Sequence, residues 1–223
     1  MINDHTHPAY IDRWRTSGCN QFNGAFYYSK EIVRNIIPRV ETDRSWITVN
    51  IPLHNREPQF HTVGCSHAVV FIHNNLHPEN YEWLQRCDDL VLVCGIEETV
   101  DKVAHLGTPV CLPLSVDVDY VRQYIRPKTK DVAFVGRPSK RSGYDFGGDV
   151  DIIEGLPRTR LLEAMAEYHQ VYAVGRTAIE AKILGCDVLP YDRRFPDAER
   201  WKILDNRDAA TMLQEMLDKI DAE

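Results

Sequence analysis

The sequence predicts an α/β fold built on parallel sheets, and three observations predict it. Short apolar runs of strand length alternate with segments of helical period along most of the chain, the rhythm of parallel strands joined by crossover helices. One stretch, VYAVGRTAIEAKILGCDVLPYD at 171–192, shows the unit entire: apolar strand, glycine turn, helix, strand. The apolar and charged fractions, 43% and 26%, are those of an ordinary globular protein, so 223 residues can bury a normal core without a metal or disulfide staple.

Taken in order, residues 1–28 are polar and aromatic with no period, and are expected to be irregular structure that caps a sheet or lines a cleft. Strands are expected at 46–51, 68–72, 89–94, 109–114 and 131–135, with helices at 29–37, 79–87, 97–106 and 118–125. Further on, strands are expected at 149–153, 170–174 and 186–191, and helices at 157–168 and 177–184. The stretch 197–221 carries Trp201, Leu204, Ala209, Met212, Leu213, Met216, Leu217 and Ile220 at spacings of three and four, one inward helical face, with a break between two helices at Asn206–Arg207. The polar, proline-containing RPKTKD at 126–131 precedes a fresh strand and suggests a boundary, giving domains of 1–126 and 127–223. Residues 138–149, rich in Gly, Ser and charge, read as a mobile loop.

Charge and cysteine content narrow the function. The net charge of -7 disfavours general nucleic-acid binding and leaves open a local basic groove. The six cysteines form no CxxC pair and read as small buried hydrophobes in a reducing compartment. MINDHTHPAY has neither a basic start nor an apolar run, which predicts no signal peptide, and AVVFI and LVLVCGI are too short to span a membrane. Together these predict a cytoplasmic protein.

Chemistry concentrates in 171–192. Gly175 allows a sharp turn, and Arg176 and Thr177 fall where a helix begins. Backbone N–H groups at a helix start lack intrahelical partners and the dipole there is positive, which suits a phosphate. Glu180 follows within a turn and can accept hydrogen bonds from sugar hydroxyls; a glutamate there is also favoured by the dipole alone. A basic cluster runs through Arg122, Arg126, Lys128, Lys130, Arg137, Lys140 and Arg141. Arg137 follows the strand in FVGR, at the carboxyl end where open α/β sheets bind ligands, so Arg137 with Lys140 or Arg141 reads as phosphate-binding. The first four are read as a solvated basic surface. His73 ends the run AVVFI, and stands between two readings: a base or hydroxyl ligand facing a cleft, or a loop histidine bonded to the backbone. His5 and His7 beside Asp4 read as a solvated tail rather than a metal site, and His54, His61 and His67 have no ligand spacing. Asp117 and Asp119 read as caps of the helix from Val118. No P-loop, GxGxxG, GxSxG or HExxH occurs, so kinase, dehydrogenase and hydrolase readings lack their usual support.

Four segments in order resemble glycosyltransferases of the GT-B type, in particular the retaining, nucleotide-sugar-dependent family 4-like group. VVFIHNN is similar to a first-domain strand that brings a histidine to the cleft, and DDLVLVCGIEETVDKVAHLGTPVCLPLSVDVDYV to the end of that domain. FVGRPSKRSG is similar to the first strand of the second domain, and VYAVGRTAIEAKILGCDVLPYD to the donor-binding segment. The resemblance implies two Rossmann-like domains facing a cleft, reduced in size. It implies that Arg137 and Lys140 or Arg141 hold a diphosphate, that Gly175, Arg176 and Thr177 cradle it, that Glu180 holds the ribose, and that His73 lies near the transferred sugar or acceptor. The glycine loop of the first domain would fall at Asn23–Gly24. The implied partners are a nucleotide-diphosphate sugar such as a UDP-sugar, as donor substrate, and a hydroxyl acceptor on a small molecule, a glycan or a modified nucleic-acid base. The cationic groups stabilise the leaving diphosphate, so the expectation includes no cofactor and no required metal. Tyr172 stands where many members carry a further glutamate. The rival expectation is a catalytically silent nucleotide or nucleotide-sugar binding protein or transferase subunit; a third is a flavodoxin-like single domain.

Overall fold

The structure, a computed structural model, describes residues 31–49, 67–72, 84–85, 87–136, 144–146 and 148–223. It is α/β, with two four-stranded, wholly parallel sheets among the described residues. The chain divides into two compact units, 1–113 with 207–223, and 114–206. The composition shift at 126–131 had placed the division later and left the C-terminal helix with the second half. The packing moves it because 114–126 and 207–223 each side with the unit that buries their apolar residues.

The first unit carries β1 (Ser45–Val49), β2 (Ala68–Ile72), β3 (Leu90–Cys94) and β4 (Thr108–Cys111), in the order β1-β2-β3-β4. The two central strands are buried at every position, as parallel strands covered on both faces must be. Ala68, Val70, Ile72, Leu84, Leu90, Leu92 and Cys94 form a core cluster with Val103 and Leu106. The expected helix at 29–37 appears from residue 31 as a π-helical turn, Ile32–Ile36, followed by a 3-10 turn, Ile37–Arg39. Pro38 lies in the first turn of the latter and has no N–H to continue a regular ladder. A short α1 (Val100–Val103) joins β3 to β4, and α5 (Asn206–Asp221) closes the unit. Burial pushes the Cys94 thiol up to about 12, and the described cysteines Cys87, Cys94, Cys111 and Cys186 form no disulfide.

Charged residues tie the amino ends of β1, β2 and β3 together. Buried Arg44 bonds Asp89 Oδ1 at 3.0 Å and Asp221 Oδ1 at 2.6 Å, so it fastens the last turn of α5 to the sheet. His67, at φ 60°, lies between Asp89 and Asp43 at 2.5 and 2.8 Å. The hydrogen bonds to Asp89 and Asp43 raise the His67 pKa above its ordinary 6.5.

The second unit begins with α2 (Val118–Arg122), capped by Asp117, whose Oδ1 accepts the Tyr120 N–H at 2.9 Å. Then come β5 (Lys130–Val135), β6 (Asp151–Ile153), α3 (Arg158–Met165), β7 (Tyr168–Tyr172), α4 (Arg176–Ile183) and β8 (Asp187–Leu189). The strand order is β6-β5-β7-β8. The chain therefore steps from β5 to one side, then crosses back to the other, which makes the gap between β5 and β7 a topological switch point. Right-handed crossovers put α3 and α4 on one and the same face. That face carries Ala133, Val135, Ile153 and Val171, all 6% exposed or less. On the other face, register sets Ile152, Phe134, Tyr172 and Leu189 in one row at the carboxyl ends of the strands.

Of the two helices expected within 197–221, the second is α5, which starts at the expected break, Asn206, and the first is only a 3-10 turn, Ala198–Arg200. Residues between them leave the helix because they pair elsewhere: Leu204 O accepts the Val116 N–H, Val116 O accepts the Asn206 N–H, and Ser115 Oγ donates to Asn206 Oδ1 at 2.8 Å. The two chain segments that enter and leave the second unit are thus stapled to each other. No described helix is long and apolar enough to cross a membrane.

Candidate functional site

The carboxyl end of the second sheet collects the chemistry. β7 ends at Tyr172, and Gly175 turns the chain into α4 with φ 63° and ψ -138°. Only glycine adopts such angles without strain. The need is conformational rather than steric, since an added Cβ would meet only Leu114 Cδ1 at 3.8 Å. The Gly175 carbonyl accepts the N–H groups of Ala178 and Ile179 at 3.0 and 3.2 Å, and no side chain caps the helix. The first-turn N–H groups and the positive end of the α4 dipole therefore face the turn beside the switch point, the arrangement that receives an anion.

Under this turn lies a buried charge triad. Glu180 Oε1 is 2.9 Å from Arg158 Nη2 and 3.4 Å from Arg176 Nη2. Glu180 is 4% exposed and each arginine 8%. Both arginines occupy the first position of their helices, α3 and α4, where the dipole opposes a cation. Glu180 offsets that cost, and Arg158 adds a contact with the Tyr120 ring, 5.6 Å from its centroid. Where an acid open to hydroxyls was expected, Glu180 is a buried anchor that joins the starts of two helices. Thr177 is half-buried in the first turn. Gly175, Arg176, Thr177 and Glu180 are brought together; His73, Arg137, Lys140 and Arg141, like Asn23–Gly24, lie outside the described residues.

The remaining basic residues of the 122–130 cluster are engaged in structure. Lys128 Nζ donates to Ala166 O at 2.9 Å and Leu184 O at 2.7 Å, carbonyls at the ends of α3 and α4, and lies 3.1 Å from Cys186 Sγ. Lys130 and Arg126 meet Glu167 at 2.8 and 3.6 Å. Arg122 lies 3.9 Å from Asp119 on the same helix.

Two aromatic residues of the expected 138–149 loop, Tyr144 and Phe146, complete the region. Phe146 lies 4.8 Å from Tyr172 and 5.4 Å from Phe134 between ring centroids, and Tyr144 lies 4.9 Å from Phe146 and 5.9 Å from Tyr172. Tyr191 meets Phe134 at 5.0 Å, and burial pushes its hydroxyl up to about 12, so it stays protonated. The Tyr-x-Phe spacing at 144–146 was the one available signal; nothing in the sequence marked Arg158. No protein-family model matches the chain, and no curated protein matches it.

Proposed function

We propose that the chain is a small nucleotide-sugar-dependent glycosyltransferase of GT-B type, binding its donor at the carboxyl end of the second sheet. The observation that carries this reading is the Gly175 turn at the β5–β7 switch point, with α4 starting beneath it over the Arg158–Glu180–Arg176 triad. The backbone at Gly175, Arg176 and Thr177, where α4 starts, cradles the diphosphate, and the two guanidiniums add positive potential from below as the diphosphate leaves. Glu180 holds both arginines in place, and the sequence resemblance assigns it the ribose hydroxyls. Arg137 with Lys140 or Arg141 would grip the outer phosphate oxygens, and His73 would lie toward the acceptor hydroxyl, as the sequence resemblance implies. The acceptor is a hydroxyl of a small molecule, a glycan or a modified base, and transfer with retention follows from the same resemblance.

The rival reading, a nucleotide-binding protein without transfer activity, is favoured by one observation. Tyr172 is packed among rings where the resemblance calls for an acid facing the sugar. A donor-hydrolysis and transfer assay separates them. Slow sugar release from a nucleotide sugar, or sugar transfer to an added acceptor, supports the transferase; nucleotide binding with no turnover across acceptors supports the rival.

A further inference from the structure

We propose that the Tyr144–Phe146–Tyr172 surface is a stacking platform for the planar base of a nucleotide. The proposal rests on the donor-site reading above for the phosphate turn, but its own observation is separate. On the face of the second sheet away from α3 and α4, aromatic side chains stand at both ends: Tyr168, buried beside Lys130 at the amino ends of the strands, and a larger group at the carboxyl ends. The upper row of this face, at the carboxyl ends of the strands, holds Ile152, Phe134, Tyr172 and Leu189. The row below is Val132, Gln170 and Asp187, of which Gln170 and Asp187 are exposed. A second core layer would need apolar side chains along the whole face, because parallel sheets are normally covered on both sides. Here the exposed Gln170 and Asp187 separate the ring cluster at the carboxyl ends, where the switch point opens, from Tyr168 at the amino ends.

The rings are also mounted to keep a surface. Phe134 is fully buried and Tyr191 nearly so, and they form the floor. Gly136 lets the Phe134 ring lie across the end of β5, since a Cβ there would come within 2.9 Å of Phe134 Cζ. Tyr144, Phe146 and Tyr172 stand on this floor, half-buried and tilted by 54–61° to one another, and the Tyr144 hydroxyl donates to Pro190 O at 3.2 Å. Partly exposed rings held by their neighbours offer π-faces without further ordering, and bases stack on such faces whatever their identity. Tyr172 is three residues before Gly175 in the chain, so a base on the platform and a phosphate at the turn belong to one ligand.

Calorimetric titration of the full chain with uridine, adenosine, pyrophosphate, UDP, ADP and glucose 1-phosphate tests this. The nucleosides should bind on their own. UDP and ADP should bind about tenfold or more tighter than pyrophosphate, the scale of one stacked base. Tyr172→Leu and Phe146→Leu should each erase that gain and leave pyrophosphate affinity unchanged, which also shows that the variants fold. Tyr172→Phe, which keeps the ring, should retain the gain. Nucleosides that do not bind, diphosphates no tighter than pyrophosphate, or variants that keep the base-dependent gain would overturn the platform. So would a gain for glucose 1-phosphate that Tyr172→Leu removes, which would make the surface a sugar platform. Nucleosides that bind and are lost in Tyr172→Leu, beside pyrophosphate that does not bind, would keep the platform and sink the phosphate turn instead.

Discussion

Removing the carboxylate from the buried triad should unfold the second unit well before the parent. In Glu180→Gln the side chain keeps its size and loses its charge, so the guanidiniums of Arg158 and Arg176, each 8% exposed, lose the carboxylate 2.9 and 3.4 Å away. Breaking a buried ion pair from one side costs about 3–5 kcal/mol, because the remaining charge keeps its desolvation penalty. For a chain of this size each kcal/mol shifts the melting midpoint by roughly 2–4 °C, so the loss should be at least about 6 °C. Thermal melts followed by far-UV circular dichroism, with urea titration as a second measure, read this directly. A second variant separates charge from packing: Arg158→Met added to Glu180→Leu should melt higher than Glu180→Leu alone, since it removes a stranded cation. A Glu180→Gln protein that melts with the parent would refute the reasoning and return Glu180 to a solvent-facing role.

Three further outcomes are expected. Gly175→Ala introduces no clash but forces a side chain into φ 63° and ψ -138°, so it should cost about 1–3 kcal/mol by urea titration and weaken nucleotide diphosphate binding as the turn relaxes. His67 has a raised pKa, chiefly through its hydrogen bond to Asp89 and then Asp43, so its contribution is fully present below 6.5 and fades as pH rises through the folded value. Asp89 and Asp43, lowered chiefly by His67, contribute above 3.8 and lose that contribution as pH falls through their lowered values. His67→Gln should therefore flatten the fall in urea midpoint between mildly acidic and alkaline pH, and an unchanged slope would count against the network. Lys128→Met strands the Ala166 and Leu184 carbonyls and should destabilise by about 1–3 kcal/mol, and if burial rather than Lys128 governs Cys186, its thiol should stay slow toward alkylating reagents in the native state.

Much of the fold was legible because strands buried in a parallel sheet are short, apolar and spaced by helices. AVVFI and LVLVC became β2 and β3 within a residue of the expectation. What failed was decided by contacts distant in sequence. Residues 204–206 have helical spacing but pair with 115–116, and α5 fastens to Arg44 through Asp221, so a boundary drawn from local composition fell too late. The site was legible where backbone conformation does the work: Gly175 at the turn is a local necessity. Arg158 was invisible because its partner, Glu180, lies on another helix, and Tyr144 and Phe146 were hidden because Gly and Ser around them read as loop. Of the basic cluster, Lys128 shows why charge runs mislead, since one cation ends two helices at once.

The central claim, that the second unit seats a nucleotide diphosphate at the Gly175 turn, is tested most directly by a thermal-shift titration with the diphosphates of uridine, guanosine, adenosine, cytidine and thymidine and their sugars. A ligand that binds only the folded state at a hundredfold its dissociation constant adds about 2.7 kcal/mol, or roughly 5–11 °C here. The account predicts such a rise for at least one nucleotide and a smaller one in Gly175→Ala. Midpoints unmoved by all five nucleotides and their sugars would contradict it.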